Sequence, residues 1–459
     1  MQSRCSPPPT KRCSRPRNPA EIAWPRSRRF PRPRLSSASL RQYIPLMSEY
    51  SIRVAGSISN VDRASWNSCP AAACPFLSWE FFASLEASGA VSEAAGWIPA
   101  HAELSRDGKV EAYLPLFVLL GSAGSFVWDD GMEAAARSVR LRWYPKLAGA
   151  VPFTPAPVWR PLVLPGVDER PVFAASAEAV ATLARDGGFS GAHFHWVDPV
   201  FAQAMVAFGG REEAGKHGLW LEWKRQAYRW TNSGYGTFDD FTGSFSKNMR
   251  RNVARDRADV ERAGIAVRMV RGDEAGHRMW RLMADWDERT NDKFGPWAAR
   301  FLPPRFFELA PEYLGSAVRF SAAYERGSAD PLALAMLFRG PDTIWGRYWG
   351  SARDLPGLHF ETCYYAPIDY AIREGLAGFD PGMGSHHKAR RGFRSILASS
   401  FHRVFDRRLA RPFADALAEA SAGEVAFARE LDADLPFRRD PPVGRASIGS
   451  GPHDPRRTS

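Results

Sequence analysis

Cysteine is scarce in this chain, which has five cysteines in 459 residues and no Cys-x-x-Cys pair. The five are Cys5, Cys13, Cys69, Cys74 and Cys363. A disulfide framework and a structural zinc site are therefore not expected, and we predict a reducing compartment, the cytoplasm. His386 and His387 together with Cys363 have no recognisable metal-ligand spacing, so we also predict no metal cofactor.

Long apolar runs are missing as well. The longest run, near Leu114 to Leu120, is far shorter than the roughly 20 residues that a membrane-spanning helix requires. The N-terminus lacks the uninterrupted apolar core of a secretory signal. No G-x-S-x-G elbow is present, so a nucleophilic serine of that type is not predicted. We therefore expect no membrane span.

Excess charge is confined to one end of the chain. The formal net charge is +11, and residues 1–46 contain eleven Lys or Arg and one acid, which leaves +1 for the other 413 residues. A basic tail on a near-neutral body does not indicate a nucleic-acid-binding fold. We therefore predict no nucleic-acid partner, except tRNA under an alternative function given below.

Both ends have a composition that is typical of disorder. Residues 1–46 are rich in Arg, Pro and Ser, and we predict a disordered basic extension there. Two interpretations stay open: a transit peptide or basic arm, or an upstream extension before a start at Met47. Residues 433–459 are predicted to be a second disordered tail.

The body is too long for one compact core, so two domains are expected. We predict an N-terminal domain over 47–232 and a C-terminal domain over 233–432 that carries the site. The Asp107-Gly108 step between two strand-like runs predicts a tight primed hairpin. Hairpins mixed with helices predict an α+β fold, in which each domain is a mostly antiparallel sheet flanked by helices.

The stretch from Ile344 to Gly392 contains the largest group of candidate catalytic and binding residues. It predicts a strand, a polar loop, a helix with Pro367 in its first turn, a short strand and a basic turn. Ionisable groups cluster at both ends of that helix. A strand–helix–strand unit that gathers such groups at one edge is typical of an enzyme site.

Several motifs stand out in this region and upstream: YPKL, AVPFTP, SFSKNMRRNVARDR, GRYWG, LHFETCYYAPIDYAI and HHK followed by ARRG. Together they resemble the FemAB-like predicted N-acyltransferases. That family is related to the GNAT acyl-CoA transferases and to the aminoacyl transferases of peptidoglycan bridges. The resemblance covers about Met47 to Glu424 and implies two GNAT-like domains packed together.

The chain departs from the family pattern in two places. Tyr228-Arg229-Trp230 stands where Phe-His-Trp is usual before the Asn-x-Gly-Tyr segment. Before the His-Lys pair, Gly382-Met383-Gly384-Ser385-His386 replaces a segment that ordinarily contains a carboxylate. The second change removes a carboxylate beside the expected site.

The resemblance implies acyl transfer from a thioester to an amine, which requires a base, an acid and oxyanion stabilisation. Glu361 is the first candidate for the base, with His359 as partner or substitute. Tyr365 or Tyr364 is the candidate that protonates the leaving thiolate. Glu361 fits a helix-capping role equally well, because a carboxylate is stabilised at a helix N-terminus. The tyrosines also fit a purely packing role.

The helix start at Phe360–Tyr364 is expected to anchor the donor's phosphates through unpaired backbone amides. Phe360, Thr362 and Tyr364 are accordingly the cofactor-binding candidates. The counterpart of the Gly-rich GNAT loop, Arg353–Gly357, is a poor match. Acyl-CoA as the co-substrate therefore rests on the resemblance.

Basic and aromatic residues supply the substrate-binding candidates. Arg347 lies in the middle of an aromatic strand, so we expect it to meet a carboxylate, either Glu361 or one on the substrate. The full set of candidates is Arg347, Trp349, His387, Lys388, Arg391, Tyr144 and Lys146. A solvated basic turn is the alternative interpretation for the residues after His386.

Three functions follow, in order of preference. The first is an N-acyltransferase that uses acyl-CoA and a small-molecule or peptide-like amine. The second is a tRNA-dependent aminoacyl transferase, against which the near-neutral body counts. The third is a catalytically inactive binding protein with a GNAT fold, which the missing carboxylate favours.

Overall fold

The computed structural model describes residues 44–45, 49–209, 220–293, 300–384 and 386–438. Most of the predicted N-terminal extension, the start at Met47 and residues 439–459 of the predicted tail lie outside the described residues. The helices, numbered in chain order over the described part, are α1 Arg63–Ser68, α2 Trp79–Ala87, α3 Asp130–Ser138, α4 Glu169–Asp186, α5 Pro199–Gly209, α6 Phe238–Gly243, α7 Lys247–Arg262, α8 Gly276–Asp292, α9 Pro304–Leu314, α10 Leu358–Phe360, α11 Ala366–Arg373 and α12 Arg407–Ala433.

The strands form two sheets among the described residues. They are β1 Ile44–Pro45, β2 Tyr50–Ala55, β3 Trp97–Pro99, β4 His101–Arg106, β5 Lys109–Leu114, β6 Leu116–Leu119, β7 Lys146–Gly149, β8 Leu162–Val163, β9 Gly191–Val197, β10 Leu221–Thr231, β11 Ile265–Arg271, β12 Val318–Glu325, β13 Pro331–Arg339, β14 Thr343–Ser351, β15 Gly378–Asp380 and β16 Arg394–Val404. A smaller sheet has the order β1-β2-β4-β5-β8. The larger one has the order β11-β12-β13-β14-β15-β10-β16-β9-β7-β6-β3.

The predicted α+β class is confirmed. All strand pairs in the described part are antiparallel except β14 with β15 and β7 with β9, which are parallel. The predicted hairpin is also confirmed. Asp107 and Gly108 both have positive φ, at 51° and 75°, which is the backbone of a primed two-residue turn.

One continuous sheet joins early and late parts of the chain. β16 pairs with β10 along nearly its whole length and with β9 on its other side. β9 is buried at every position, as expected of a strand in the middle of a covered sheet. The predicted boundary near residue 232 falls between β10 and α6, and its position stays a prediction.

The N-terminal part also packs on the C-terminal sheet through aromatic rings. The Phe76 ring lies 4.8 Å from that of Phe338 and 5.6 Å from that of Trp345, between ring centroids. These residues belong to one hydrophobic core that extends across both halves. Every helix in the described ranges is too short or too polar to span a lipid bilayer.

Candidate active site

The helix that follows β14 begins earlier than predicted and contains a π turn. Leu358–Phe360 is α-helical, Glu361–Tyr365 forms the π turn, and α11 continues from Ala366. Pro367 is the second residue of α11, in the first turn of that helix as predicted, and α11 follows the π turn directly. Proline lacks an N–H and its ring crowds the carbonyl four residues earlier, so the wider turn relieves a local conflict. Single π turns inside α-helices are frequent at functional sites.

Gly357 allows this helix to start close to α7. Its φ is +76°, and a Cβ added there would lie 2.4 Å from the carbonyl oxygen of Asp256. Both the backbone conformation and the close approach therefore favour glycine. The result is that the π turn and α7 face each other.

A histidine–tyrosine cluster forms beside the π turn. The Tyr364 hydroxyl lies 3.1 Å from Nε2 of His387, and Nδ1 of His359 lies 3.4 Å from Sγ of Cys363. The Trp349 and His359 rings meet at 5.1 Å between centroids. Burial, followed by neighbouring positive charges, lowers the pKa of His359 and of His387 to about 4. Both imidazoles are therefore neutral near pH 7 and able to accept a proton.

Arg391 and Tyr365 form a second group with Asp256 of α7. Arg391 donates from Nε to the Tyr365 hydroxyl at 3.0 Å and from Nη2 to Asp256 at 3.2 Å. Tyr365 in turn donates to Asp256 at 2.9 Å. The guanidinium carbon of Arg391 lies 3.2 Å from the centre of the Phe360 ring. Because Tyr365 donates its proton to a carboxylate, Tyr364 is the better placed of the two predicted acids.

Glu361, the predicted base, points at α7 instead of at the histidines. Its carboxylate accepts from Nε and Nη2 of Arg257 at 3.1 and 3.2 Å. Burial raises the pKa of Glu361, and the attraction of Arg257 opposes that rise. Both residues line a cavity of about 420 Å³ next to α7. The alternative of a simple helix cap does not fit, because the helix begins three residues before Glu361.

Arg347 does not contact Glu361. The prediction that these two residues pair is therefore wrong. Nη1 of Arg347 donates to Asp380 at 3.2 Å, and its guanidinium carbon lies 5.1 Å from the centre of the Phe76 ring. The reason lies in the strand register. Gly346 pairs with Leu337 and Tyr348 with Met336, so Arg347 is the extra residue of a β-bulge. Bulges re-aim a side chain out of the regular alternation.

The bulge lies just after the point where the pairing of β14 with β15 ends. Only Thr343, Ile344 and Trp345 pair with β15, so within the described residues the rest of β14 is hydrogen-bonded on its β13 side alone. Nε and Nη2 of Arg347 have no hydrogen-bond partner there, although its side chain is only 4% exposed. A buried guanidinium with unused donors is suited to an anionic ligand group.

Lys388 lies behind this strand edge. Its Nζ donates to the carbonyl oxygens of Gly382 and Met383 at 2.9 and 2.6 Å and lies 5.6 Å from the Tyr228 ring centre. Burial lowers the pKa of Lys388 to about 8. The residue is therefore a buried cation that also orders the loop after β15.

A cleft of about 970 Å³ opens on the neighbouring side of the sheet, between early and late parts of the chain. Cys74 and Asp198 line it from the N-terminal part, and Tyr228, Thr343 and Asp380 line it from the large sheet. Asp380 and Tyr228 are the same residues that contact Arg347 and Lys388. Through these two residues the wall of the cleft contacts both buried cations.

The remaining predicted residues lie apart or inside the protein. Tyr144 and Lys146 both bind Asp129 in the N-terminal part, and Lys146 is fully buried. Thr362 is fully buried too, and its hydroxyl has no partner in the described ranges. Because the helix begins at Leu358, Phe360 belongs to its first turn, whereas Thr362 and Tyr364 lie beyond it.

Three acidic residues that were not site candidates in the sequence pair with predicted cations, two of them in this site and one in the N-terminal part. Asp380 pairs with Arg347, Asp256 pairs with Arg391, and Asp129 pairs with Lys146. Each cation was a candidate in the sequence, and an unpaired buried charge is costly. The need for a partner was therefore predictable, but not which carboxylate would supply it.

The profile of a protein family described as FemAB-like, peptidoglycan biosynthesis/recognition, matches residues 57–439. The chain belongs to the FemAB-like family. This membership supports an acyltransferase-type function. No functionally curated protein matches the sequence.

Solved structures that align with this FemAB-like chain share little sequence with it. FemX is 12% identical, with a TM-score of 0.43 over 70% of this chain and 92% of FemX. A conserved protein of unknown function from Bacteroides thetaiotaomicron is 9% identical, with a TM-score of 0.46 over 77% and 100% of the two chains. A tandem GNAT protein from the clavulanic acid biosynthesis pathway is 11% identical, with a TM-score of 0.39 over 77% and 98%.

Proposed function

We propose that this FemAB-like protein is an N-acyltransferase that moves an acyl group from acyl-CoA to an amine. The observation that carries the proposal is that Asp380, which lines the large cleft, holds the buried Arg347 at the edge of β14. Family membership supports acyl transfer in general, and this arrangement supports an acceptor in the cleft with the donor along the strand edge.

The acceptor is proposed to be a small-molecule or peptide-like amine. Carboxylates of Asp198, Asp342 and Asp380 line the cleft and suit an ammonium group. The unused donors of Arg347 suit a carboxylate on the same molecule. An amino acid or peptide carries both groups, and a protein acting on such compounds is proposed to work in the cytoplasm.

The proton transfers are assigned to the histidine–tyrosine cluster. The bound ammonium first loses one proton to water. As the resulting amine nitrogen attacks the thioester carbonyl, the C–N bond forms and the neutral His387 accepts the second proton. The C–S bond then breaks, Tyr364 donates its proton to the thiolate, and His387 returns a proton to Tyr364 through their 3.1 Å hydrogen bond. The positive charges of Lys388 and Arg391 stabilise the oxyanion.

Glu361 is the alternative candidate for the general base, and substitution can test it. Its position against Arg257 predicts that Glu361→Gln changes stability more than turnover, while His387→Gln lowers kcat without unfolding the chain. His386→Gln is the matched control, because His386 is the exposed neighbour on the same turn. A variant with Gln at 361 that folds normally but loses turnover would return the base role to Glu361.

The donor is tested by thermal shift with acetyl-CoA, longer acyl-CoAs and aminoacyl-tRNA, since a ligand of the folded state raises the melting midpoint. We expect a rise with an acyl-CoA, and release of its free thiol when an amine acceptor is added. A rise with aminoacyl-tRNA alone would replace acyl-CoA as the donor. No rise with any donor would favour an inactive binding protein.

Transfer from aminoacyl-tRNA is the second candidate function, because the family is described by peptidoglycan biosynthesis. The small net charge outside residues 1–46 counts against it, since binding a polyanion depends on many Lys and Arg contacts. Under this alternative, donor binding should weaken steeply with added salt. Acyl-CoA binding should respond much less.

A further inference from the structure

Three histidines meet on two adjacent strands, away from the proposed active site. His193 and His195 are two residues apart on β9, so their side chains share a face of the sheet. His402 on β16 stands directly opposite His193 in the strand register. One ring nitrogen from each residue lies within 4.8 Å of those from the others.

All three rings are buried and short of hydrogen-bond partners. Their exposed fractions are 0%, 0% and 1% for His193, His195 and His402. Nδ1 of His193 lies 2.9 Å from Nδ1 of His402. Nε2 of both residues and both ring nitrogens of His195 have no partner among the described residues. Leaving a buried polar group unpaired costs about 1–3 kcal/mol, and an ion bound to one nitrogen of each ring would give His195 the partner that both of its nitrogens lack.

The surroundings keep the imidazoles in the ligating form. Burial, followed by the charge of Lys146, lowers the pKa of all three histidines, so they are neutral near pH 7. Lys146 is itself paired with Asp129, and this neighbouring pair adds no net charge. Neutral imidazole is the form that binds transition metals.

We propose that His193, His195 and His402 bind a divalent transition-metal ion. Three imidazoles suit zinc and its neighbours copper, nickel and cobalt. The Nδ1–Nδ1 separation of 2.9 Å is compatible with two nitrogens on one ion at the usual Zn–N length of about 2.0–2.1 Å. The ion would tie β9, from the early part of the chain, to β16, from the late part. Its role is structural and independent of the proposed acyl transfer.

This proposal differs from the sequence-based prediction of no metal cofactor, which stays a prediction. That prediction considered cysteine pairs and ligands near His386. It gave no weight to His193-x-His195, because the third ligand is more than 200 residues away. The His-x-His spacing on a predicted strand was the signal that could have found the site.

The test uses the full chain, stripped with a chelator and then equilibrated with excess Zn²⁺ or Co²⁺ before the unbound ion is removed. We expect one retained ion per chain by mass spectrometry of metals. With Co²⁺ we expect visible d–d absorption, and X-ray absorption should show several imidazole nitrogens around the ion. Chelation should lower the melting midpoint of the loaded protein.

His195→Gln and His402→Gln should abolish stoichiometric retention, whereas the exposed control His386→Gln should retain the ion. The unaltered chain decides the matter even if these variants do not fold. Failure to retain either ion, or an absorption spectrum without imidazole ligands, would overturn the proposal. Equal retention of the ion by folded His195→Gln and His402→Gln would do the same.

Discussion

Replacing Lys146 by methionine separates a structural role of this residue from the substrate-binding role that the sequence suggested. Its ammonium and the Asp129 carboxylate form an ion pair in which the two side chains are 0% and 1% exposed. Asp129 also accepts from Nε1 of Trp143 and from the Tyr144 hydroxyl, each at 2.6 Å. Lys146→Met would leave a buried carboxylate without its cation.

Removing one partner of a buried ion pair costs about 3–5 kcal/mol. The Trp143 and Tyr144 donors stay in place and continue to stabilise the charge, so we expect the lower end, about 3 kcal/mol. Urea unfolding followed by circular dichroism measures this as a lower midpoint with an unchanged slope. The double variant Asp129→Asn with Lys146→Met should recover more than half of the loss, because no buried charge is then left.

The pH dependence gives a second readout. Although burial opposes it, Lys146 and three hydrogen bonds lower the pKa of Asp129 in the native protein. This pair therefore contributes stability above the ordinary Asp pKa of about 3.9, and the contribution is lost as the pH falls through the folded pKa. Without Lys146, burial raises the pKa of Asp129 and only the hydrogen bonds from Trp143 and Tyr144 oppose that rise. The difference in the free energy of unfolding between the native protein and Lys146→Met should then become smaller as the pH falls.

The structural interpretation would be wrong if Lys146→Met unfolded within about 1 kcal/mol of the native protein, the scale of an exposed ion pair. A raised KM together with unchanged stability would restore the substrate-binding interpretation. Lys224→Met is a useful control, since Lys224 pairs with Glu222 at 3.5 Å and its side chain is 39% exposed. That change should cost little.

Three further predictions follow from single contacts. Arg257→Met should lower the free energy of unfolding by about 1–3 kcal/mol, because two hydrogen bonds to the buried Glu361 carboxylate are lost. Urea titration measures this loss of stability. The loss should become smaller at low pH, because Glu361 is then protonated. The native protein should lose stability as the pH falls from about 6.5 to about 4, since burial lowers the pKa of His387 to about 4. In His387→Gln the free energy of unfolding should depend less steeply on pH over that range. Gly350→Ala should cost about 1–3 kcal/mol by overpacking, because the new Cβ would lie 2.3 Å from Cβ of Trp286, and a melting curve measures the loss.

Each of these has a clear contrary result. A loss at Arg257→Met that grows on acidification would mean that Glu361 is not the group left unpaired. An unchanged pH slope at His387→Gln would mean that this imidazole is not protonated on unfolding in that range. An unaltered melting midpoint at Gly350→Ala would show that α8 does not pack on β14 as described.

Local chemistry let the sequence alone determine the elements and the fold class. Asp107-Gly108 specifies a primed turn whatever surrounds it, because few residues adopt positive φ easily. The helical apolar pattern likewise predicted the helix after β14. That helix also carried part of the resemblance to the FemAB-like family, which the profile match confirmed.

Only the tertiary structure decided which charges meet. A bulge at Arg347 turned its side chain to Asp380, and a π turn directed Glu361 to Arg257, although nothing in the local pattern predicted either. His402 became the neighbour of His193 because β16 pairs with β9 across more than 200 residues. Side-chain partners depend on strand register and helix packing, which are properties of the whole fold, whereas turns and periodicity depend on a few adjacent residues.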